Sequence, residues 1–372
     1  MLFSEVIGQD ELKGHLIDEV KSDKISHAQL FLGKSGYGTV PLALAFVQHL
    51  FCENKQENDS CGECDSCRKV ATLQHPDLHF SFPVVQSISK TSDPLLADWR
   101  EQIEESPYFS FTDWVRKIDS RERKAIISTH ESVEIIKKLS LRSYEGGYKV
   151  MMIWMAEEMN PTCANKLLKI IEEPPQNTVF ILIAESQDKI LQTILSRTQI
   201  LKVPRISLDQ LSKHFVATQK VNSETADSVA ARCDGDLIEG RNMLGDHQDE
   251  DQNREHFIQL MRVCYKKNVL DMMAWSELMG GESKGRQKAF LKYALHMFRQ
   301  SMLRNYTEDH LTRVSKEENA FLEKFARFIT GNNVFDFMET FDKAHYHIER
   351  NANARILFMN LCFQVMRFIH AA

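Results

Sequence analysis

The sequence lacks several features that would place it outside the ordinary soluble globular proteins. Its longest apolar stretches, residues 150–156 and 179–184, fall well short of the roughly 20 residues that span a bilayer. Residues 1–6 contain an acidic residue, Glu5, and no basic segment leading into an apolar run, so nothing there resembles a secretory signal. With 15 glycines, 9 prolines and 43% hydrophobic residues, the composition excludes disordered and fibrous proteins. We therefore expect a soluble, cytoplasmic protein.

The chain also lacks an excess of basic residues. Its 46 Lys and Arg against 52 Asp and Glu give a net charge of -6, which disfavours autonomous binding to nucleic acid, although a local basic patch stays open. A length of 372 residues is enough for two or three domains. Half of the eight cysteines lie singly in helical patterns, where we expect reduced thiols in the core. These are Cys163, Cys233, Cys264 and Cys362.

Short β-like runs alternate with helical ones over about the first 200 residues, which predicts an α/β fold with a doubly wound, mostly parallel sheet. Segment 81–123 interrupts this alternation, and we interpret it as an insertion. After Pro204 the pattern is helical, with short helices over 208–244, an acidic linker over 245–251 and helices to the end. Strands are predicted over 29–32, 150–154, 178–184 and 200–203, and helices over 40–51 and 164–171. One later helix face should carry Phe290, Ala294, Met297 and Ser301.

A glycine-rich loop, GKSGYGTV at residues 33–40, follows a predicted strand and opens a predicted helix, as a phosphate-binding P-loop does. The Lys and Ser/Thr that contact phosphate and Mg²⁺ in a working P-loop are replaced by Thr39 and Val40. Pro41 removes a further N–H donor. We expect no tight ATP binding, although backbone donors of residues 36–40 persist, and a simple strand–helix turn is the alternative. The residues of this degenerate nucleotide site are Gly33, Gly36, Gly38 and Thr39.

The second predicted strand also lacks the residues of an ATPase site. An active P-loop ATPase has an Asp at this strand end that holds Mg²⁺, often followed by a Glu that orients water. Here Trp154 and Met155 stand at these positions. Glu157 and Glu158 come three residues later, about 10 Å further along an extended chain. We interpret them as solvated acids at a helix entry.

Four clustered cysteines follow the helix of the glycine loop. Cys52, Cys61, Cys64 and Cys67 have the spacing C-x8-C-x2-C-x2-C, which is typical of a closed tetrahedral Zn²⁺ site with a structural role. The alternatives are an iron–sulfur cluster and thiols without metal. No other feature of the sequence indicates a redox function, which disfavours the iron–sulfur cluster. We interpret His75 as a turn residue and not as a ligand.

Together these motifs resemble the delta-prime subunits of bacterial DNA polymerase III clamp loaders, an AAA+ family. Besides the glycine loop and the cysteine module, the resemblance rests on IGQ at 7–9, HAQLF at 27–31, NKLLKIIEEPP at 165–175 and LSRT at 195–198. It covers about the first 245 residues. It implies an AAA+ P-loop-type parallel-sheet domain over 1–205 with a zinc module at 52–67 and a further insertion at about 81–123. A three-helix lid over 206–245 and an α-helical collar or oligomerisation domain over 246–372 should follow.

The resemblance also implies a function within DNA replication. The family's subunits join delta and the ATPase gamma/tau subunits in a five-membered ring, which places the sliding clamp on primed DNA as part of a DNA polymerase holoenzyme. This chain differs from the family's ATPases at three places. Two are the glycine-rich loop and the end of the second predicted strand, described above. The third is the lid, where GDLI at 235–238 replaces Gly-Ser-Leu-Arg. We therefore expect a hetero-oligomeric subunit without intrinsic ATPase activity.

Arg197 is the one candidate catalytic residue, and it would act on a neighbouring subunit. It stands in Ser196-Arg197-Thr198, where the family has Ser-Arg-Cys, and the resemblance implies an arginine finger for the ATP of the adjacent subunit, with Ser196 fixing the turn. A surface arginine at a helix end is the alternative. Two other functions stay open, a weakly active AAA+ ATPase and a zinc-dependent DNA-binding protein. The acidic cysteine loop, with Glu53, Glu57, Asp59, Glu63 and Asp65, disfavours the second.

Overall fold

The computed structural model of the protein describes residues 1–245, 247–306, 316–331, 333–350 and 352–370. The chain divides into two compact units. One consists of Met1–Ala226 with Cys233–Gly240, and the other of Asp227–Arg232 with Arg241–Ala372. Most of the segment predicted as a lid therefore belongs to the first unit.

A parallel sheet forms the centre of the first unit. The strands are β1 (Ala28–Leu32), β2 (Leu78–Ser81), β3 (Val84–Val85), β4 (Ala125–Ile126), β5 (Lys149–Trp154), β6 (Thr178–Ala184) and β7 (Gln199–Lys202). Five of them pair in parallel in the order β2-β5-β6-β1-β7, and β3 pairs with β4 in an antiparallel ribbon. Strands β5 and β6 are buried along their whole length. Their apolar runs are continuous because a parallel sheet is covered on both faces. The predicted parallel α/β core is confirmed.

The helices of the first 200 residues contribute buried side chains to the two hydrophobic clusters that contain the sheet residues. They are α1 (Asp10–Lys21), α2 (Thr39–Phe51), α3 (Asp65–Ala71), α4 (Leu96–Glu105), α5 (Phe111–Ile118), α6 (Thr129–Ser140), α7 (Pro161–Glu172) and α8 (Gln192–Leu195). Three more helices, α9 (Leu208–Gln219), α10 (Ser223–Arg232) and α11 (Leu237–Gly245), lie within the range predicted as a set of short helices. Among the described residues, no helix is both long enough and apolar enough to cross a bilayer.

The segment predicted as an insertion, residues 81–123, is part of the hydrophobic core and begins inside β2. Strand β2 is not among the predicted strands, and its sequence, LHFS, is not a continuous apolar run. Trp99 and Trp114 are fully buried. The ring of Trp99 stacks on Phe82 at a centroid distance of 4.5 Å and lies 5.2 Å from Trp154. The insertion thus supplies an aromatic cluster to the carboxyl end of β5.

The second unit is helical throughout its described residues. Its main helices are α12 (His247–Lys266), α13 (Val269–Gly281), α14 (Lys284–Tyr306), α15 (Lys316–Phe325), α16 (Val334–Glu349) and α17 (Ala354–His370). The predicted buried face of α14, with Phe290, Ala294, Met297 and Ser301, is confirmed. The linker predicted over 245–251 is wrong for residues 247–251, which form the start of α12. Asp246 lies outside the described residues.

Candidate functional site

The glycine-rich loop lies between β1 and α2, where the sequence predicts it. Residues 35–37 form one 3₁₀ turn, and Gly38 follows with φ of 92°, a left-handed conformation that favours glycine. A Cβ on Gly33 would lie only 2.6 Å from the carbonyl oxygen of Val203, so only glycine fits there. The Gly33 N–H donates to the carbonyl of Ala184 at 3.0 Å. The loop is therefore fixed to the carboxyl end of β6.

Several loop amides donate to the chain itself. The N–H of Tyr37 donates to the carbonyl of Lys34 at 2.9 Å, and that of Gly38 to the carbonyl of Ser35 at 3.2 Å. We expected the donors of residues 36–40 to persist for a ligand, and for Tyr37 and Gly38 this expectation is wrong. The 3₁₀ turn that the loop adopts uses these two N–H groups internally.

Two carboxylates that the sequence did not single out contact the loop. Glu185 Oε1 accepts hydrogen bonds from both the backbone N–H of Ser35, at 2.9 Å, and its hydroxyl, at 2.6 Å. Asp236 lies against Gly36 so closely that a Cβ there would collide with the carboxylate. Burial raises the pKa of Asp236. Neither acid has a sequence signal, because each reaches the loop from a distant segment.

A tyrosine of the inserted segment lies over the end of the loop. The ring of Tyr108 is so near Gly38 that a Cβ there would lie 3.1 Å from its Cε1 atom. The Tyr108 hydroxyl accepts a hydrogen bond from the N–H of Ile7 at 2.9 Å. Thr39, at the position of the catalytic Lys of a P-loop, is only 1% exposed. Side chains of the protein itself thus surround the loop.

The end of β5 is apolar. Trp154 is 1% exposed and packs on Phe109 at a centroid distance of 5.0 Å. The interpretation of Glu157 as a solvated acid is wrong, because it is partly buried and burial raises its pKa. Its Oε1 accepts hydrogen bonds from the N–H groups of Glu185, at 2.7 Å, and Ser186, at 3.3 Å. Glu157 therefore holds the backbone from which Glu185 reaches the loop.

The fold brings the four predicted cysteine ligands together. The sulfur atoms of Cys52, Cys61, Cys64 and Cys67 all lie within 4.8 Å of one another. Cys52 Sγ lies 3.6 Å from Cys61 Sγ, which in turn lies 3.9 Å from Cys67 Sγ. A tetrahedron of sulfurs at the Zn–S distance of about 2.3 Å has edges of about 3.8 Å. The donor set and its spacing fit a zinc ion.

Backbone N–H groups donate to the cluster sulfurs, as they do around bound thiolates. The N–H of Cys61 points to Cys52 Sγ at 3.3 Å, and those of Cys64 and Cys67 point to the sulfurs of Cys61 and Cys64 at 3.4 Å. The donors at Cys64 and Glu63 lower the pKa of the Cys61 thiol to about 6. Because metals bind the thiolate form, these donors favour coordination at Cys61, whereas burial raises the pKa of the Cys52 thiol and of the Cys67 thiol.

His75 lies outside this cluster, as predicted. Its ring stacks on Phe51 at a centroid distance of 4.1 Å, and its Nε2 lies 3.0 Å from a carboxylate oxygen of Glu145. A second acid, Asp59, accepts hydrogen bonds from the N–H groups of Phe3 and Ser4 at 2.9 and 3.0 Å. The cysteine loop is thereby tied to the first residues of the chain.

Arg197 follows α8, and its guanidinium has partners within the same unit. Its Nε donates to the Glu172 carboxylate at 2.8 Å, and one terminal nitrogen donates to the Thr193 carbonyl at 3.2 Å and to the Ser196 hydroxyl at 3.3 Å. The Arg197 side chain keeps 32% of its surface exposed. The supporting role of Ser196 and the trans-acting role of Arg197 both stay predictions.

Sequence comparisons match about the first half of the chain to one family. A model of the family described as "DNA polymerase III, delta subunit" matches residues 8–207. DNA polymerase III subunit delta' of Bacillus subtilis (strain 168) is 30% identical over 187 residues, covering 50% of this chain and 44% of that protein. DNA polymerase III subunit delta' of Yersinia pestis is 28% identical over 182 residues, covering 49% and 43%.

A longer alignment reaches a related subunit. DNA polymerase III subunit tau of Bacillus subtilis (strain 168) is 23% identical over 381 residues, which cover 96% of this chain and 60% of that protein. In all three cases the aligned part is less than two thirds of the relative's own length.

Proposed function

The chain belongs to the DNA polymerase III delta subunit family, and on that premise we propose that it is a non-hydrolysing subunit of the polymerase's clamp loader. It would assemble with delta and gamma/tau subunits into a ring in the cytoplasm that loads the sliding clamp on primed DNA. Contact with clamp and DNA would run through the complex. The observation that carries the proposal is a glycine loop without ATPase side chains in the same unit as a partly exposed Arg197.

The absence of hydrolysis is supported by the chemistry at the loop and at the strand end. Thr39 and Val40 supply neither the ammonium nor the hydroxyl that hold phosphate and Mg²⁺ in P-loop ATPases. Trp154 offers an apolar ring where a carboxylate would hold the metal. A triphosphate with its magnesium carries several charges. Because the loop offers no opposite charges, the triphosphate is more stable in water than at this site.

Arg197 would serve the ATP of the neighbouring subunit. A guanidinium stays protonated and offers a planar fork to phosphate oxygens, so it can stabilise charge that develops on the γ-phosphate. Its partner Glu172 is 54% exposed, and exposed ion pairs contribute only about 0–1 kcal/mol. The guanidinium would therefore lose little free energy when it leaves Glu172 for a phosphate of ATP. Before ATP binds, Glu172 and Ser196 would orient the guanidinium.

The four cysteines would hold one structural Zn²⁺. Four thiolate ligands leave no open position for water, so the ion would supply folding energy and no catalysis. The residues that bind it are Cys52, Cys61, Cys64 and Cys67, and the chain they join runs from the end of α2 into α3. The zinc would thus fix this connection at the edge of the first unit.

Assembly tests the proposed function. The purified chain is mixed with gamma/tau and delta subunits of the same organism, and the mixture is separated by size with the mass of each peak determined. We expect one stable complex that contains all three kinds of subunit, and separate peaks when the chain is mixed with an unrelated monomeric protein of similar size. If the chain elutes alone at micromolar concentrations of all partners, the proposal is wrong.

A further inference from the structure

We propose that the glycine-rich loop is an oxyanion site that the chain fills with its own Glu185, whose carboxylate takes the position of a ligand phosphate. Asp236 closes the site on the side of Gly36. This inference concerns the chain by itself and does not rest on its proposed role in a clamp loader.

In the contact between Glu185 and Ser35, one residue of the loop supplies both donors to an anionic group. Two donors of one residue, the backbone N–H and the hydroxyl of Ser35, converge on a single carboxylate oxygen at 2.9 and 2.6 Å. The hydroxyl distance lies in the short range that is typical of a hydroxyl bound to an ionised oxygen. Ser35 is only 5% exposed, so its two donors need a hydrogen-bond partner at this position.

The sheet places Glu185 at the loop. Ala184 ends β6 and Glu185 follows it. Strand β6 pairs in parallel with β1, so the carboxyl ends of both strands meet at the same edge. The carbonyl of Ala184 accepts the Gly33 N–H, and Glu157 accepts the N–H of Glu185. With its backbone held at both points, Glu185 directs its side chain to Ser35. Glu185 itself is exposed, so a vacated position would be open to solutes.

Asp236 restricts the other side of the loop. Its Oδ1 accepts hydrogen bonds from the N–H groups of Ile238 and Glu239, both at 3.1 Å, which fixes it at the start of α11. The carboxylate lies on Gly36, where any larger residue would displace it. While Glu185 occupies the Ser35 donors, its carboxylate repels an incoming phosphate, since like charges at a few ångströms oppose each other.

Hydrogen exchange with anion rescue tests this inference on the chain alone. In Glu185→Ala, we expect the Ser35 amide to exchange at least about tenfold faster than in the unmutated chain, because a hydrogen bond to a charged group is lost. Millimolar inorganic phosphate should restore slow exchange in this variant, whereas chloride at the same ionic strength should not. The matched control is Glu173→Ala, which removes an exposed glutamate of the same unit and should leave the loop unchanged.

Two results would overturn the inference. One is unchanged exchange at Ser35 in Glu185→Ala. The other is faster exchange on which phosphate and chloride act alike, because the carboxylate would then have a structural role only. If Glu185→Ala does not fold, Glu185→Gln keeps the size of the side chain and a neutral acceptor. In Glu185→Gln the Ser35 amide should exchange faster than in the unmutated chain but slower than expected for Glu185→Ala. Unchanged exchange at Ser35 in Glu185→Gln would also contradict the inference.

Discussion

Arg197 and Glu172 form an ion pair in which the guanidinium Nε lies 2.8 Å from the carboxylate. The pair joins two segments that are separate in the sequence, NKLLKIIEEPP at 165–175 and LSRT at 195–198. Glu172 ends α7, and its carboxylate accepts a hydrogen bond from the Arg197 Nε. Through this contact, the carboxylate at the end of α7 lies next to the guanidinium of the candidate arginine finger.

Loss of this ion pair should barely change stability. Glu172→Gln should lower the free energy of unfolding by less than about 1 kcal/mol, because both side chains are partly exposed. Chemical denaturation of the isolated chain measures this, with Glu173→Gln as the control for a change of charge at the same helix end. A loss above about 2 kcal/mol in Glu172→Gln alone would mean that the pair holds the fold together.

The cysteine cluster should contain one zinc ion per chain. Cys64→Ser should lose the ion and disorder the cysteine loop, since metal binding supplies on the order of 10 kcal/mol in zinc-finger peptides. Native mass spectrometry with elemental analysis measures the metal, and hydrogen exchange measures the loop. Cys163→Ser, which changes a buried cysteine outside the cluster, should keep the zinc. Iron with sulfide, or no metal after purification under reducing conditions, would contradict the assignment.

The isolated chain should not bind Mg-ATP with micromolar affinity. Thr39 and Val40 offer no charge to the phosphates, and Glu185 occupies the Ser35 donors. For the same reason the double variant Thr39→Lys with Val40→Thr should not restore tight binding, because the carboxylates at the loop remain. Calorimetry decides this, with an active gamma/tau subunit as the positive control. Micromolar binding by the unmutated chain would show that the loop is a working site.

Restoring a carboxylate at the end of β5 should destabilise the protein. Trp154→Asp would place a charge among the rings of Trp99 and Phe109 and would leave a cavity, so we expect a loss of at least about 4 kcal/mol. Trp154→Phe keeps an aromatic ring and should lose clearly less. Denaturant unfolding of both variants provides the comparison. Equal stability of Trp154→Asp and the unmutated chain would contradict the aromatic packing described above.

The sequence predicted what depends on local pattern. The buried strands appear as continuous apolar runs, and the cysteine spacing alone predicted the four residues whose sulfur atoms the fold brings together. The sequence could not predict contacts between distant segments, such as Glu185 with Ser35 or Asp236 with Gly36, because no spacing relates these residues. The same holds for residues 81–123, where Trp99 packs on Trp154, a residue of a distant strand. Glu157 was misinterpreted because its position along the chain does not reveal that its carboxylate turns back to the strand ends.

The most direct test of the account is the rate of ATP hydrolysis by an assembled loader that contains Arg197→Ala. Arginine fingers contribute about 10³ to 10⁵ in rate in GTPases, so hydrolysis at the adjacent site should nearly stop. The rate of the whole ring, stimulated by clamp and DNA, should fall in part, with assembly and zinc content unchanged. Arg116→Ala, which removes an exposed arginine that is also paired with a glutamate, should hydrolyse ATP at the unmutated rate. Equal rates for Arg197→Ala and Arg116→Ala would contradict the finger and leave Arg197 as a surface residue at a helix end.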